Sequence, residues 1–144
     1  MFTRILVPVD LSERAAETVR LAGTIAERFS ASLTLLHVIE TLDAPFEEFR
    51  TFYEQLERTA GETLDRLASS LRQRGLTVEE QVVYGRRARE VIRFAEEQGF
   101  DLVIVGSHQV TPENLGAALL TISHQIAIAC AVPVLMLKPA TAAR

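Results

Sequence analysis

The chain has 144 residues, of which 15 are basic and 19 acidic, and its formal net charge is −4. This length suits a single domain covering residues 1–144, because a chain of about 150 residues buries roughly two thirds of its unfolded surface. The acidic balance provides no attraction to nucleic acid or to an anionic membrane surface, so neither is an expected partner.

The first half of the chain predicts two strand–helix units. Residues 4–9 form an apolar, β-branched run, and Ser12 is suited to cap the helix that follows. In that helix apolar side chains recur at helical spacing over residues 15–29. A second apolar run covers residues 33–39, and the periodic stretch over residues 49–71 predicts a long second helix.

The second half of the chain predicts three more strands with helices between them. Residues 77–84 form a polar strand suited to a sheet edge, and a helix is expected over residues 86–99. The nearly all-apolar residues 101–105 are typical of a central parallel strand covered on both faces. A helix from about 115 to 131 and a strand over 132–138 complete the pattern. Such alternation predicts a doubly wound α/β sheet with right-handed crossovers.

The ligand site of such a sheet is expected outside the carboxyl ends of its strands, where the strand order reverses. Residues 10–12, 38–41 and 106–111 follow the first, second and fourth strands and converge there. Asp10 has two interpretations that do not exclude each other. It contacts a ligand, or it assists the entry of the chain into the first helix, with Ser12 as the cap.

The cysteine content and the apolar runs favour a cytoplasmic protein. Cys130 is the only cysteine and cannot form a disulfide within the chain, as is usual in a reducing compartment. The N-terminal apolar run is too short for a secretion signal. The longest apolar run, after Gln125, falls short of the roughly 20 residues that span a bilayer. We therefore expect a cytoplasmic chain that does not cross a membrane.

Four segments together resemble the universal stress protein family: RILVPVDLSERA, LTLLHVIE, AREVIRFAEEQGFDLVIVGSH and VPVLMLK. The resemblance runs from the first predicted strand to the last. It implies a flavodoxin-like, adenine nucleotide alpha hydrolase-like α/β fold with a five-stranded parallel, doubly wound sheet of order 3-2-1-4-5. It also implies dimers joined through the last strand.

Nucleotide-binding members of that family carry a glycine, two residues, a second glycine, nine residues, and then a glycine followed by serine or threonine. Here Gly106 matches the first glycine, but Gln109 occupies the second position. The third position falls on Leu119, or on Leu120 if one extra loop residue is allowed. Since two of the three glycines are missing, the chain resembles the branch of the family that does not bind ATP.

The same resemblance also leaves room for a loose nucleotide site. It places Asp10 against the nucleoside and the backbone of Val38 against the base. With the extra loop residue, Thr121 takes the hydroxyl position, and Ser123 lies nearby. His108 either contacts a ligand or partner or bonds to nearby backbone. The candidate nucleotide-binding residues are Asp10, Val38, Gly106, His108, Gln109, Thr121 and Ser123.

The other candidate groups favour structural roles. The three histidines lack the close spacing of metal ligands, and neither a G-x-S-x-G elbow nor a P-loop is present. We therefore predict no metal site, no catalytic residue and no required cofactor. Arg86, Arg87 and Arg89 are interpreted as a solvated helix face. The aromatic residues Phe46, Phe49, Phe52 and Tyr53 are expected in the core rather than in a partner-binding groove.

The last strand predicts a homodimer. At a sheet edge it presents unpaired backbone groups and apolar side chains, which a twofold partner covers by antiparallel pairing. The predicted interface residues are Val132, Val134, Leu135, Met136 and Leu137. The leading hypothesis is a non-catalytic stress-response or signalling dimer that acts through contacts with an unknown protein and does not bind ATP tightly. The alternatives are an ATP-binding regulator and a slow nucleotide hydrolase.

Overall fold

The structure is a computed structural model that describes residues 1–41, 43–107, 112–114, 116 and 121–138. Within these ranges the chain alternates strands and helices as the sequence predicts. The elements are β1 (Arg4–Pro8), α1 (Ala15–Phe29), β2 (Ser32–Ile39), a 3-10 turn (Phe46–Phe49), α2 (Arg50–Arg72), β3 (Val78–Tyr84), α3 (Arg87–Glu97), β4 (Leu102–Gly106), a second 3-10 turn (Pro112–Asn114), α4 (Ile122–Ala129) and β5 (Val134–Leu137).

The sheet has five strands in the order β3-β2-β1-β4-β5, and every pair is parallel. This confirms the predicted fold class and strand order. β1 lies between β2 and β4, with Ile5 beside both Leu33 and Leu102. The chain leaves β1 toward β2 through α1 and returns from the β3 edge to β4 through α3. The strand order therefore reverses between β1 and β4.

Helices cover both faces of the sheet because successive strand residues point to opposite sides. Ile5 and Ile104 pack in the core under α1 and α2, together with Leu64. Leu6 and Val103 point the other way, into the core under α3 and α4. The four strand residues are fully buried or nearly so, which explains why their runs read as continuously apolar in the sequence.

The start of α1 differs from its prediction. The helix begins at Ala15 and its N-cap residue is Arg14, whose side chain makes no capping hydrogen bond. The predicted cap, Ser12, is wrong because the chain first turns at Leu11, where φ is 65°. Ser12 takes part in the first turn of α1 through its backbone carbonyl, which accepts a hydrogen bond from the Ala15 N–H at 3.1 Å.

The aromatic side chains at the start of α2 also differ from their prediction. Tyr53 is 1% exposed, whereas Phe46 is 46% and Phe52 49% exposed. The prediction of a core role therefore holds for Tyr53 and is wrong for Phe46 and Phe52. Phe49, named in the same prediction, is half-buried. The buried stripe of α2 begins at Tyr53 rather than at Phe49 or Phe52. The Tyr53 ring stacks on Phe46, 5.0 Å between centroids, and meets Tyr84 edge-on at 5.9 Å.

Tyr84 ends β3 and anchors this aromatic cluster to α2. Its hydroxyl donates a hydrogen bond to Glu57 Oε2 at 2.7 Å. Partial burial, the hydrogen bond and the negative charge of Glu57 raise the pKa of Tyr84 to about 12, because each disfavours the phenolate. The cluster lies at the carboxyl ends of β2 and β3, beside the switch point but outside it.

Candidate functional site

A cavity of about 320 Å³ opens at the carboxyl ends of β1 and β4. It lies between the two helical layers, with Thr18 of α1 on one side and Val91 of α3 and Ile126 of α4 on the other. Its volume falls at the lower end of the roughly 300–1,000 Å³ range usual for small-molecule sites. This is the place at which doubly wound sheets bind their ligands.

The turn after β1 places a carboxylate at the cavity. Asp10 Oδ1 accepts a hydrogen bond from the Ser12 N–H at 2.9 Å, and the left-handed backbone at Leu11 permits this close return. Burial raises the pKa of Asp10, but hydrogen bonds from Ser12 and the charge of Arg14 outweigh it, and the pKa lies below its ordinary value. Asp10 is therefore ionised at neutral pH and acts as an acceptor.

The end of β2 supplies His37 and Val38 to the same cavity. His37 is 8% exposed, and its Nδ1 lies 2.7 Å from the carbonyl oxygen of Val9. Because a carbonyl only accepts, Nδ1 carries the proton of this hydrogen bond. The hydrogen bond holds the imidazole against the turn that carries Asp10. Val38, 5% exposed, adds an apolar wall.

The end of β4 brings Gly106 close to α1. A Cβ atom at Gly106 would lie 2.5 Å from Thr18 Oγ1, so a larger residue requires Thr18 to move. The Gly106 carbonyl accepts a hydrogen bond from Ser123 Oγ at 2.6 Å. Next in the chain, the Ser107 N–H donates to Leu137 O at 2.9 Å. These bonds tie the end of β4 and the residue after it to α4 and β5, respectively.

The start of α4 provides the hydroxyl groups that the sequence placed here. Thr121 is the N-cap residue of α4, and its Oγ1 accepts from the His124 N–H at 3.4 Å. The same oxygen lies 2.8 Å from His124 Nδ1. With Ser123 bonded to Gly106, the hydroxyls of Thr121 and Ser123 both serve the local structure.

The structure brings most of the predicted site residues together. Asp10, Val38, Gly106, Thr121 and Ser123 all line the one cavity. His108 and Gln109, which the sequence also nominated, lie outside the described residues, as do Leu119 and Leu120. The binding role of the whole set remains a prediction.

Three cationic side chains at the cavity were missed by the sequence interpretation. Arg14, Arg87 and Lys138 line it from the starts of α1 and α3 and from the end of β5. Arg87 was assigned to a solvated face and is exposed as predicted, but the prediction missed that α3 begins beside the cavity. The available signal was position, since Arg14 and Arg87 follow the carboxyl ends of predicted strands and Lys138 is the last residue of one.

Among the residues that the structure describes, no three His, Cys, Asp or Glu side chains gather as they would around a metal ion. Over the same ranges, no helix combines the length and the apolar character needed to cross a bilayer.

Comparisons with known proteins give a consistent result. The model of the universal stress protein family matches residues 1–138. The universal stress protein MJ0577 of Methanocaldococcus jannaschii is 27% identical, and the match covers 96% of each chain. Its solved structure has a TM-score of 0.82 and covers 99% of each chain.

Two further solved structures are described as complexes. A universal stress protein in complex with cAMP is 22% identical, with a TM-score of 0.68, and the match covers 94% of this chain and 96% of the other. A universal stress protein of Archaeoglobus fulgidus in complex with dAMP is 20% identical, with a TM-score of 0.69 and coverage of 95% and 98%. At these identities the likeness shows the shared fold.

Proposed function

The chain belongs to the universal stress protein family, and from this premise we propose that it is a non-catalytic stress-response module that binds an adenine nucleotide loosely at its switch-point cavity. The observation that carries the proposal is the cavity of about 320 Å³ that collects Asp10, Val38 and Gly106. Two neighbours of the same fold are described as complexes with cAMP and dAMP, both of which are adenine nucleotides.

The chemistry of the cavity suits a nucleoside. The ionised Asp10 accepts hydrogen bonds, as the hydroxyl groups of a ribose require. Leu36, Val38 and Val105 provide apolar surface against which a flat base packs. The phosphate end is less well provided with backbone amides, because Gln109 and a leucine occupy two glycine positions of the family motif. For this reason we propose that the chain binds ATP loosely rather than tightly.

The arrangement of hydroxyl groups favours binding over catalysis. Thr121 is bonded to His124, and Ser123 donates its proton to the Gly106 carbonyl. A nucleophile needs a general base within hydrogen-bond reach and an open path to the substrate. A serine whose hydroxyl proton is held by a backbone carbonyl is not activated in this way. We therefore favour a regulator over a hydrolase, and its location in the cytoplasm stays a prediction.

Titration of the purified protein with adenosine and AMP tests the proposal. We expect Asp10→Ala to lower the affinity for both by at least about tenfold, because a charge-assisted hydrogen bond of roughly 1.5–3 kcal/mol is lost. The matched control is Asp65→Ala, which removes the same charge from the exposed side of α2 and should bind like the wild type. Isothermal calorimetry measures both. Absence of heat for the wild type at millimolar adenosine and AMP contradicts nucleotide binding.

We also propose that the protein acts as a homodimer through β5. β5 is an edge strand, and Leu135 is 39% exposed. The other predicted interface residues, Val132, Val134, Met136 and Leu137, are partly buried against their own cores. The contact would therefore consist of the free backbone edge of β5 and the side chain of Leu135.

Substitution of Leu135 tests the dimer. We expect Leu135→Arg to shift the protein to monomers, because paired edges would place two arginines near the twofold axis without counter-charges. Phe52→Arg is the control, since Phe52 is as exposed but lies on α2, near the opposite edge of the sheet. Sedimentation at micromolar concentration measures the mass. A wild type that sediments only as a 16.0 kDa species overturns the proposal.

A further inference from the structure

We propose that Arg14, Arg87 and Lys138 form a cationic grip that holds the phosphate end of the nucleotide, in place of the backbone amides that the missing glycines would expose. The proposal rests on the nucleotide-binding function proposed above and extends it to the phosphate contacts. It names the ligand class as a nucleotide with a terminal phosphate, which carries close to two negative charges at neutral pH. A cyclic nucleotide carries one.

The cavity lining carries more positive than negative side chains. The lining contains three cations, Arg14, Arg87 and Lys138, and two carboxylates, Asp10 and Glu17. Glu17 is already engaged, because its Oε1 lies 3.4 Å from the Arg20 guanidinium. Asp10 accepts the Ser12 N–H. Among the described residues, the three cations make no ion pair within 4.0 Å, although the charge of Arg14 attracts Asp10. The three cations and two carboxylates of the lining sum to a formal charge of +1, which an anionic ligand would neutralise.

Two of these cations lie at the starts of helices. Arg14 is the N-cap residue of α1, and Arg87 is the first residue of α3. The helix dipole places partial positive charge at both positions, where acidic side chains are stabilising and arginine is not. The helix dipoles therefore do not stabilise these two charges, although the charge of Arg14 attracts Asp10 and lowers its pKa. Both residues line the cavity, where the positive ends of the two helices would add to the attraction of the guanidinium groups for a phosphate.

The third cation, Lys138, is the only lysine in the chain. It follows β5 directly, and its Nζ lies 3.5 Å from Ser107 Oγ. Ser107 comes immediately after Gly106, the one glycine of the family motif that the chain retains. Lys138 thus brings a charge to the strand end at which the phosphates of a bound nucleotide are expected.

The test compares adenosine, cAMP and AMP by calorimetric titration of the full chain. We expect AMP to bind more tightly than cAMP, and cAMP more tightly than adenosine. Arg87→Ala, Arg14→Ala and Lys138→Ala should each weaken AMP binding by roughly three- to tenfold, as expected for an exposed charge-assisted contact, and leave adenosine unchanged. Arg89→Ala is the matched control, because Arg89 is exposed on α3 and lies outside the cavity lining.

The outcomes separate the two proposals. If adenosine and AMP bind equally well, or if the three variants bind AMP like the wild type, the cationic grip is wrong while nucleoside binding stands. If AMP binds through the cations but Asp10→Ala changes nothing, the nucleoside contact is wrong while the grip stands. Failure of AMP to bind overturns both.

Thermal unfolding of the ligand-free variants distinguishes a ligand role from a structural one. Arg87→Ala is the variant suited to this test, because Arg14 also attracts Asp10. Arg87 lies at the positive end of a helix dipole, so its removal should leave the Tm unchanged or raise it slightly. A variant that lost AMP affinity together with a clear fall in Tm would show a structural role and contradict the grip.

Discussion

Gly106→Ala is expected to destabilise the protein by about 1–3 kcal/mol, the usual cost of forcing an extra carbon into a packed site. The added Cβ would lie 2.5 Å from Thr18 Oγ1. Either the Thr18 hydroxyl rotates or α1 moves away from β4. Since Gly106 and Thr18 both line the cavity, either movement also changes the shape of the proposed ligand site. Denaturant unfolding measures the loss of stability, and AMP titration measures the loss of affinity.

Two controls make this prediction sharp. Gly61→Ala adds the same carbon in the interior of α2, where no atom lies within 4 Å of the new Cβ. It should stabilise the protein by about 0.5–1 kcal/mol, because alanine favours a helix over glycine. The second control adds Thr18→Ala to Gly106→Ala, which removes the clashing oxygen and should restore most of the stability. Equal effects of the two glycine substitutions would contradict the steric explanation.

Asp101→Ala is expected to destabilise the protein by about 1–2 kcal/mol, in line with the loss of hydrogen bonds to a charged group. The Asp101 carboxylate accepts from the Thr3 N–H at 2.8 Å, from Thr3 Oγ1 at 3.0 Å and from the Arg4 N–H at 3.1 Å. These bonds attach the start of β1 to the loop that enters β4. Their removal leaves both N–H groups of the first strand without this acceptor.

The effect of Asp101 should depend on pH. Partial burial raises the pKa of this carboxyl, but the hydrogen bonds from Thr3 and Arg4 outweigh it and hold the pKa below its ordinary value of about 3.9. A carboxyl whose pKa is lower in the folded state stabilises the protein above its unfolded pKa, and this stabilisation is lost as the pH falls through the folded pKa.

Unfolding curves between about pH 7 and pH 3 check this dependence. We expect the stability difference between wild type and Asp101→Ala to be full at neutral pH and to shrink below about pH 4, the ordinary carboxyl pKa. Asp101→Asn keeps one oxygen acceptor and has no charge to titrate, so it should be intermediate in stability. A difference from wild type that stayed constant over the whole pH range would show that the carboxylate charge is not responsible.

The secondary structure could be predicted because each element carries its own local signal. The central strand β4 was predicted at residues 101–105 and lies at Leu102–Gly106. The prediction succeeded because a short, continuously apolar run is typical of a parallel strand covered on both faces. The prediction that Ser12 caps α1 was wrong because capping depends on the path of the backbone at Leu11, where φ is 65°. Leucine gives no sequence signal for such a turn.

The buried face of α2 shows a second limit of local patterns. Phe52 and Tyr53 are adjacent, and both are large enough to fill the core. Tyr53 was buried because Phe46 and Tyr84 meet its ring from two other elements. Hydrophobic periodicity does not contain those partners, so it cannot choose between neighbouring aromatic residues.

The sequence likewise predicted some residues of the candidate site and missed others. Asp10 and Gly106 were nominated from the sequence because they follow strands, and motif spacing identified the missing glycines. Arg14, Arg87 and Lys138 were not nominated as a group, since more than 120 positions separate the first from the last. They share one cavity only because parallel strands bring all their carboxyl ends to one edge of the sheet.

By itself, the sequence determined the alternation of strands and helices, the family, and the loss of two motif glycines, because these depend on residue type and spacing along the chain. Only the tertiary structure decided which aromatic rings are buried, how the chain turns after β1, and which charges meet at the switch point. These features arise from contacts between segments distant in sequence, and such contacts exist only once the strand order β3-β2-β1-β4-β5 has formed.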